Sequence, residues 1–196
     1  PDQQRKLMAV IQDDVERLDR LITDISDASR LDAELSRAET QPVNLSRMLS
    51  TLADIHDHPA TENAPQLTVT ADDGLILNGM EDRLVQVFRN LIANAVSFSL
   101  EPNSTIRLRA GREDAWIVAT VEDQGPGIPP GKEDDIFNRF YTERPEAEDF
   151  GRHSGLGLSI SKQIVEAHGG TLLASNILDD TQTITGARFT VRLPVG

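Results

Sequence analysis

Two glycine-rich segments in the second half of the chain place the strongest constraint on its fold. The first, Asp123-Gln124-Gly125-Pro126-Gly127-Ile128, follows a predicted strand, and the second, Ser154-Gly155-Leu156-Gly157-Leu158, opens a predicted helix. Glycine lets a backbone turn sharply and approach a ligand closely. The amide groups at the start of a helix also suit phosphate. Taken alone, either segment equally fits an ordinary turn.

The two most familiar nucleotide-binding motifs do not account for these segments. A Rossmann fingerprint would need glycine where Ile160 stands. A Walker loop fails because five residues separate Gly125 from Gly131, and because Glu133 occupies the Ser or Thr position. Neither of these motifs therefore applies to the two segments.

A long, charged stretch, residues 129–154, separates the two segments. Irregular stretches of this length are usually lids or disordered segments. The glycines at both ends favour a lid, which we expect to be disordered without nucleotide. We expect Phe137, Phe140 and Tyr141 to anchor it to the core.

Two asparagines lie four residues apart in a helix predicted from about residue 80 to residue 99. Asn90 and Asn94 therefore share one face of that helix. Their amide oxygens could ligate Mg²⁺, which prefers oxygen donors. The alternative is that they bridge local backbone groups, and the two residues alone favour it.

The chain before residue 39 is predicted to form one long helix, over residues 2–35. Its apolar residues follow spacings of three and four, as in a coiled coil or helical bundle: Leu7, Ile11, Val15, Leu18, Ile22 and Ile25. Such a helix cannot bury its stripe against itself, so it must pack on another helix or another chain. Its abrupt start leads us to expect a longer parent protein.

From residue 43 onward, helical and strand-like patterns alternate. Helices are predicted over residues 44–55, 80–99 and 156–168, with a short helical turn at 135–140. Strands are predicted over residues 67–71, 75–77, 106–110, 116–121, 171–175 and 187–193. This order predicts an α+β fold, a two-layer α/β sandwich with a largely antiparallel sheet, preceded by the long helix.

Charge and composition exclude several classes of function. Nineteen Lys and Arg against 32 Asp and Glu give a net charge of −13, which disfavours nucleic acid and anionic membranes as partners. The chain has no cysteine and only four histidines, so thiolate chemistry is excluded and zinc hydrolases are poorly supported. No apolar run approaches the ~20 residues of a membrane span. We expect a soluble, cytoplasmic domain.

In their order, these segments resemble the catalytic, ATP-binding domain of two-component sensor histidine kinases, which has the Bergerat fold. The matching boxes are Asn90–Ala95, Asp123–Ile128, Ile136–Phe140, Gly155–Leu158 with Val165–Gly170, and Thr185–Ala187. The resemblance covers residues 43–196, and residues 1–38 are similar to the second helix of the dimerisation and phosphotransfer hairpin. Phe140–Pro145 and Ser97-Phe98-Ser99 are similar to envelope-stress sensors of alphaproteobacteria.

The resemblance implies a site for ATP or ADP with Mg²⁺. Asn94 and Asn90 would hold the metal and phosphates, and Asp123 would bind the adenine amino group. The other implied nucleotide contacts are Phe98, Gly125, Gly127, Ile128, Arg139, Tyr141, Ser154, Gly155, Leu156, Gly157, Leu158 and Thr185. The implied partners are the receiver domain of a response regulator and a second copy in a homodimer formed by the hairpin. Parents in this family are usually anchored in the inner membrane.

This chain departs from the family pattern at two points. Ser97 stands where many relatives carry a Lys or Arg, and the phosphoacceptor histidine is absent. His56 and His58 lie in a predicted loop with the wrong spacing, His153 lies in the lid, and His168 at a helix end suits a structural role. We therefore expect the acceptor helix to lie outside this chain.

Three functions remain open at this point. The first is the catalytic part of a sensor histidine kinase, and the second is a regulatory module or pseudokinase that acts through partner contact. The third is a motor-type ATPase, but related hydrolases place a Glu, which activates water, where Asn90 stands here. The lack of that general base favours a kinase.

Overall fold

The computed structural model describes Met8, Val15, Ile22 and residues 39–56, 65–99, 101, 104–141 and 155–196. Met8, Val15 and Ile22 are helical, and each is more than half exposed. The remainder of the predicted N-terminal helix lies outside the described residues, as do His58, His153 and Ser154. Among the described residues, no helix is long and apolar enough to cross a membrane.

In the described part of the chain, five strands form the main sheet in the order β2-β4-β5-β7-β6, and two form a small antiparallel sheet, β1-β3. The strands are β1 Gln41–Asn44, β2 Gln66–Ala71, β3 Ile76–Gly79, β4 Thr105–Glu113, β5 Trp116–Glu122, β6 Thr171–Leu178 and β7 Ile184–Pro194. All neighbours in the main sheet are antiparallel except β2 and β4, which are parallel. The predicted, largely antiparallel sheet is therefore confirmed with one parallel pair.

From residue 39 onward, the described part of the chain has three helices and one short 3-10 helix. They are α1 Leu45–His56, α2 Glu81–Phe98, α3 Gly157–Ala167 and the 3-10 helix Asp135–Phe137. The α1 helix begins at Leu45 because the Asn44 side chain accepts a hydrogen bond from the Arg47 amide at 3.0 Å. That contact is the expected N-cap.

The β6–β7 hairpin is longer than the sequence predicts. Asn176 pairs with Ala187 and Ile177 with Gly186, so both strands extend past the predicted limits at Ser175 and Ala187. An asparagine and a glycine are poor strand formers, which hid this extension in the sequence. Cross-strand pairing overrides the local preference.

The core lies between the helices and one face of the main sheet. Along β5, Ile117, Ala119 and Val121 are buried on that face, as the two-residue period of a strand requires. The α2 helix buries Leu84, Val87, Phe88, Leu91, Ile92 and Ala95. Burying each large apolar side chain contributes about 1.5–3 kcal/mol. The predicted α+β two-layer sandwich is confirmed.

His168 connects the end of α3 to the start of α2. Its Nδ1 donates to the Ile164 carbonyl at 2.7 Å, and its Nε2 accepts a hydrogen bond from the Met80 amide at 3.0 Å. Gly79 leaves room for the ring, since a Cβ there would lie 2.9 Å from His168 Cδ2. The ring is buried, in keeping with the structural role expected for it.

We predict that His168→Ala lowers the free energy of unfolding by about 2 kcal/mol, because it removes a buried ring and leaves the Met80 amide without its acceptor. Urea unfolding measures this loss. The control is Glu166→Ala, an exposed position in the same helix, which is expected to stay within about 0.5 kcal/mol of the parent chain. Equal stability of the two variants would contradict the structural role.

Candidate functional site

Asp123 follows β5 directly and is held by backbone groups from two directions. Its Oδ1 accepts hydrogen bonds from the amides of Gly125, at 2.9 Å, and of Ala187 in β7, at 3.1 Å. Its own amide donates to the Ala187 carbonyl at 3.0 Å. The residue is only 4% exposed, and its Oδ2 accepts no hydrogen bond from any described residue.

Asp123 is a buried carboxyl that forms no ion pair with a described residue. Burial raises the pKa of Asp123, and the amide hydrogen bonds from Gly125 and Ala187 lower it by less. A buried acid with a perturbed pKa is typical of a functional site. Its unengaged oxygen can accept a hydrogen bond from a ligand.

The glycine-rich loop after Asp123 packs too tightly for side chains. A Cβ on Gly125 would lie 2.8 Å from the Phe98 carbonyl oxygen at the end of α2. Gly127 has a φ of +78°, and a Cβ there would collide with the Ile184 side chain in β7. Both glycines are therefore required for the loop to lie against α2 and β7.

Asn176 in β6 fixes the end of this loop. Its Oδ1 accepts a hydrogen bond from the Ile128 amide at 2.6 Å, and its Nδ2 donates to the Ile128 carbonyl at 2.7 Å. The sequence patterns did not predict a role for this residue. The available signal was an asparagine between the predicted strand 171–175 and the apolar pair Ile177-Leu178, where a polar amide needs a specific partner.

Asn90 ties α2 to the second glycine-rich segment. Its Nδ2 donates to the Gly157 carbonyl at 3.1 Å and to the Ser161 hydroxyl at 3.3 Å. Ser161, whose role was likewise not predicted from the sequence, in turn donates to Gly157 at 2.8 Å. The backbone-bridging alternative thus applies to the Asn90 amide nitrogen, while its Oδ1 has no described hydrogen bond.

Asn94 lies one helical turn further along α2. The side chain is partly buried, and its amide makes no hydrogen bond with a described residue. Asn90, Asn94 and Phe98 share one side of α2, because they are spaced by four. Since Asn90 reaches Gly157 and Phe98 meets Gly125, Asn94 lies between the two glycine-rich segments, along about 12 Å of helix.

The start of α3 offers unengaged amide groups. Leu156 precedes the helix and makes no side-chain cap, and the Ile160 amide is the first to bond back, to the Leu156 carbonyl at 2.9 Å. The amides of Gly157, Leu158 and Ser159 have no acceptor within the helix. Together with the helix dipole, they favour an anion.

Phe140, within the predicted lid, meets Gly155, the first residue after the lid, beside this helix. The Phe140 amide donates to the Gly155 carbonyl at 3.0 Å, and a Cβ on Gly155 would lie 2.9 Å from Phe140 Cα. Phe137 is buried and meets Phe189 edge to face, with ring centroids 6.4 Å apart. Tyr141 packs partly against the core. Residues 142–154 lie outside the described part.

The prediction that Phe140 anchors the lid to the core is wrong. Its side chain is 61% exposed, and its φ of +65° places the backbone in the left-handed region. This turn is set by the close approach of Gly155, which a sequence pattern does not report. Arg139 beside it is also exposed.

The remaining predicted residues occupy different positions around these loops. Leu156 and Ile128 are buried, while Phe98 and Leu158 are partly buried. Thr185 is exposed, and its hydroxyl donates to the Ile177 carbonyl at 3.3 Å. No described contact joins the Thr185 side chain to Asp123.

A metal at this site would depend on neutral oxygen donors. Among the described residues, no cluster of three or more His, Asp or Glu side chains could hold an ion. The amide oxygens of Asn90 and Asn94 fit Mg²⁺, because that ion uses few protein ligands and completes its shell with phosphate and water. Both oxygens are without a described hydrogen-bond donor.

Comparisons with known proteins show which family and which relatives this chain is similar to. A family model described as "Histidine kinase-, DNA gyrase B-, and HSP90-like ATPase" matches residues 79–196. The sensor protein ChvG of Rhizobium meliloti is 50% identical, over 100% of this chain and 35% of that protein. ChvG of Agrobacterium fabrum is 46% identical, over 98% of this chain and 34% of that protein. This chain thus spans about a third of their length.

Solved structures show the same fold. The mycobacterial sensor histidine kinase MprB matches with a TM-score of 0.67 and 27% identity, over 79% of this chain and 97% of that chain. Full-length ShkA in complex with AMPPNP matches with a TM-score of 0.75 and 24% identity, over 98% of this chain and 39% of that chain. ThkA in complex with the response regulator TrrA matches with a TM-score of 0.74 and 22% identity, over 100% of this chain and 52% of that chain.

These findings confirm the resemblance to sensor histidine kinases, and the two ChvG proteins confirm the match to alphaproteobacterial sensors. The family match begins at the last residue of β3 and includes α2, both glycine-rich segments, α3 and strands β4 to β7. The chain belongs to the histidine kinase-, DNA gyrase B- and HSP90-like ATPase family.

Proposed function

We propose that this chain binds ATP with Mg²⁺ and is the catalytic part of a sensor histidine kinase, over residues 43–196. Asp123 is the observation that carries the proposal, because one oxygen of a buried carboxylate is fixed by two amides while the other is unengaged. An exocyclic amino group on a purine is a matching donor. The ShkA structure with AMPPNP supports a nucleotide in this fold.

The base would lie against the first glycine-rich segment, in a pocket that this segment would form with the end of α2. Asp123 Oδ2 would accept a hydrogen bond from the adenine amino group, and Gly125 and Gly127 would allow the base to lie close to the backbone. Phe98, Ile128 and Leu158 would supply apolar contacts to its faces and edge. The Asn176 bridge would hold the Ile128 end of this pocket in place.

The phosphates would lie along α2 toward the start of α3. The unengaged amides of Gly157 and Leu158 would bind phosphate oxygens, with Ser154 and Gly155 at the lid end and Arg139 and Tyr141 near its hinge. Asn94 and Asn90 would hold Mg²⁺ through their amide oxygens. When bound, that ion supplies neutralisation of the phosphate charge.

The reaction we propose is phosphoryl transfer to a histidine on a helix outside this chain. The acceptor imidazole nitrogen attacks the γ-phosphorus of ATP, and the bond to the bridging oxygen breaks to release ADP. Such a transfer needs alignment and charge neutralisation more than covalent chemistry from the protein. The residues described above supply binding and alignment only.

Asn90 favours transfer over rapid hydrolysis. Its amide nitrogen donates to Gly157 and Ser161, and a neutral amide cannot take a proton from water as a carboxylate base would. Water near the γ-phosphate would therefore lack activation.

The wider setting of the chain is part of the same proposal. Residues 1–38 would form part of a dimerisation and phosphotransfer hairpin, through which a parent protein would be a homodimer. The phosphoryl group would pass to an aspartate on a response regulator, as the ThkA–TrrA complex suggests by analogy. The parent would be anchored in the inner membrane with this part in the cytoplasm. We propose no nucleic-acid partner.

We predict that Asn94→Ala weakens binding of ATP with Mg²⁺ by about tenfold or more, because it removes a ligand worth about 1.4 kcal/mol or more. Isothermal titration calorimetry measures this change. Asn78→Ala, the same truncation at an exposed position in β3, is the control and should bind as the parent chain does. Absence of binding by the parent chain would refute the kinase proposal.

Transfer itself is tested by adding a separate helical hairpin that carries the family's acceptor histidine. We predict an acid-labile phosphohistidine on the hairpin when γ-labelled ATP is present. Nucleotide binding without transfer would favour the regulatory module or pseudokinase. Steady-state hydrolysis that disappears in Asn90→Ala would instead favour a motor-type ATPase.

Asp123→Asn is predicted to weaken ATP binding without lowering stability at neutral pH. Because the folded-state pKa of Asp123 is raised, its contribution to stability is present at low pH and is lost as the pH rises through that pKa. The neutral asparagine avoids this loss, so its free energy of unfolding relative to the parent chain should increase from pH 4 toward pH 7. Urea unfolding at both pH values and calorimetry measure the two effects.

Affinity of the parent chain for ATP should fall as the pH is lowered through the raised pKa of Asp123. Oδ1 already accepts hydrogen bonds from two amides, so the proton would reside on Oδ2. A protonated Oδ2 would face the adenine amino group donor to donor and could not accept its hydrogen bond. Asp123→Asn serves as the control, since it lacks this titration. An identical pH profile in the two proteins would show that Asp123 does not contact the base.

A further inference from the structure

A second buried carboxylate lies directly before Asp123, on the opposite face of the sheet. Glu122 is 5% exposed, and it belongs to the face that points away from the helices. Its Oε1 accepts a hydrogen bond from Arg188 Nε at 2.9 Å, and Arg109 Nη1 lies 3.5 Å from the same oxygen. The nucleotide chemistry proposed above uses none of these three residues.

Glu122 and Arg188 are the last two residues that lie opposite each other where β5 and β7 run side by side. Glu122 pairs with Arg188 in the strand register. The next step along both strands is the contact between Asp123 and Ala187, where two hydrogen bonds of 3.0 and 3.1 Å join them. The ion pair and the Asp123 carboxylate are therefore held by the same two backbone segments.

Asp123 is joined to β7 here by these two hydrogen bonds and by the close packing of Gly186. The β5 strand ends at Glu122, and the glycine-rich loop follows. Gly186 packs against the Asp123 carbonyl so closely that a Cβ would collide with it. A small separation of the strand ends would consequently change the distance from Ala187 to Asp123 Oδ1.

We propose that Arg188, acting through Glu122, is a positioning residue that aligns Asp123 for the adenine amino group and so sets the preference for adenine. This inference rests on the proposed function, in which Asp123 reads the base. Arg188 itself would not touch the nucleotide.

The physical reason is the cost of a buried charge without a partner. If Arg188 is removed, the described ion pairs leave Glu122 with Arg109 alone, which is 57% exposed and more distant. A buried carboxylate that loses its partner is strongly destabilised and moves toward water. That movement would separate the strand ends beside Asp123.

The test compares ATP with inosine triphosphate, which carries a carbonyl where ATP carries the amino group. For Arg188→Met, we expect the ratio of the two affinities to fall about three- to tenfold. Loss of folding alone would weaken both nucleotides equally and leave the ratio unchanged. Calorimetry on the whole chain measures both affinities.

Arg192→Met is the matched control. Arg192 lies on the same strand and the same face, 5.7 Å from the Trp116 ring, and it makes no described contact with Glu122. The Arg192→Met variant removes the same charge and should keep the ratio of ATP affinity to inosine triphosphate affinity that the unsubstituted chain has. Adding Glu122→Gln to Arg188→Met should restore part of the ratio, because a neutral amide does not need the cation.

The outcomes separate the two proposals. A parent chain that binds both nucleotides equally well would overturn the role of Asp123 in reading the base, and this inference with it. If the unsubstituted chain prefers ATP over inosine triphosphate and Arg188→Met keeps that preference, only the positioning role of Arg188 is overturned. If Arg188→Met does not fold, Arg188→Gln provides the same comparison, since it also removes the cation beside Glu122 but keeps a polar side chain at this half-exposed position.

Discussion

The hydrogen bonds from the Gly125 and Ala187 amides to Asp123 Oδ1 are the contacts on which the candidate site depends. They join the end of β5, the first glycine-rich loop and β7 at one atom. Because the loop also contacts Phe98 in α2 and Asn176 in β6, the position of this carboxylate is linked to both layers of the fold. Displacing it would alter the loop that would cover the base.

The α2 helix relates the two ends of the site to each other. Phe98 lies at the proposed base end and Asn90 at the proposed phosphate end, so the helix sets the distance between them. The His168 ring fixes the start of this helix by accepting a hydrogen bond from the Met80 amide. A side chain far from the proposed ligand thereby supports the geometry of the site, through the backbone of the helix that carries Asn90, Asn94 and Phe98.

Local features of the fold could be predicted from the sequence, and features set by distant pairing could not. The Asn44 cap, the α2 helix and the position of Asp123 at a strand end follow from neighbouring residues. The parallel β2–β4 pair, the Asn176–Ile128 bridge and the exposure of Phe140 depend on residues far apart in the chain. Asn176 and Ile128 are 48 positions apart, and no periodic pattern connects them. The long N-terminal helix remains a prediction apart from three described residues.

Glu122 and Asp123 show why two adjacent buried carboxylates have different partners. Among the described residues, two arginines contact Glu122, whereas backbone amides alone bind Asp123, whose pKa is raised as a result of burial. A cation beside Asp123 would lower that pKa, but it would also occupy the oxygen that the proposed function assigns to the base. Backbone amides hold one oxygen and leave the other available. In the proposed function, the raised pKa of Asp123 follows from keeping an acceptor open, and the neighbouring ion pair can stabilise the same strand ends without blocking it.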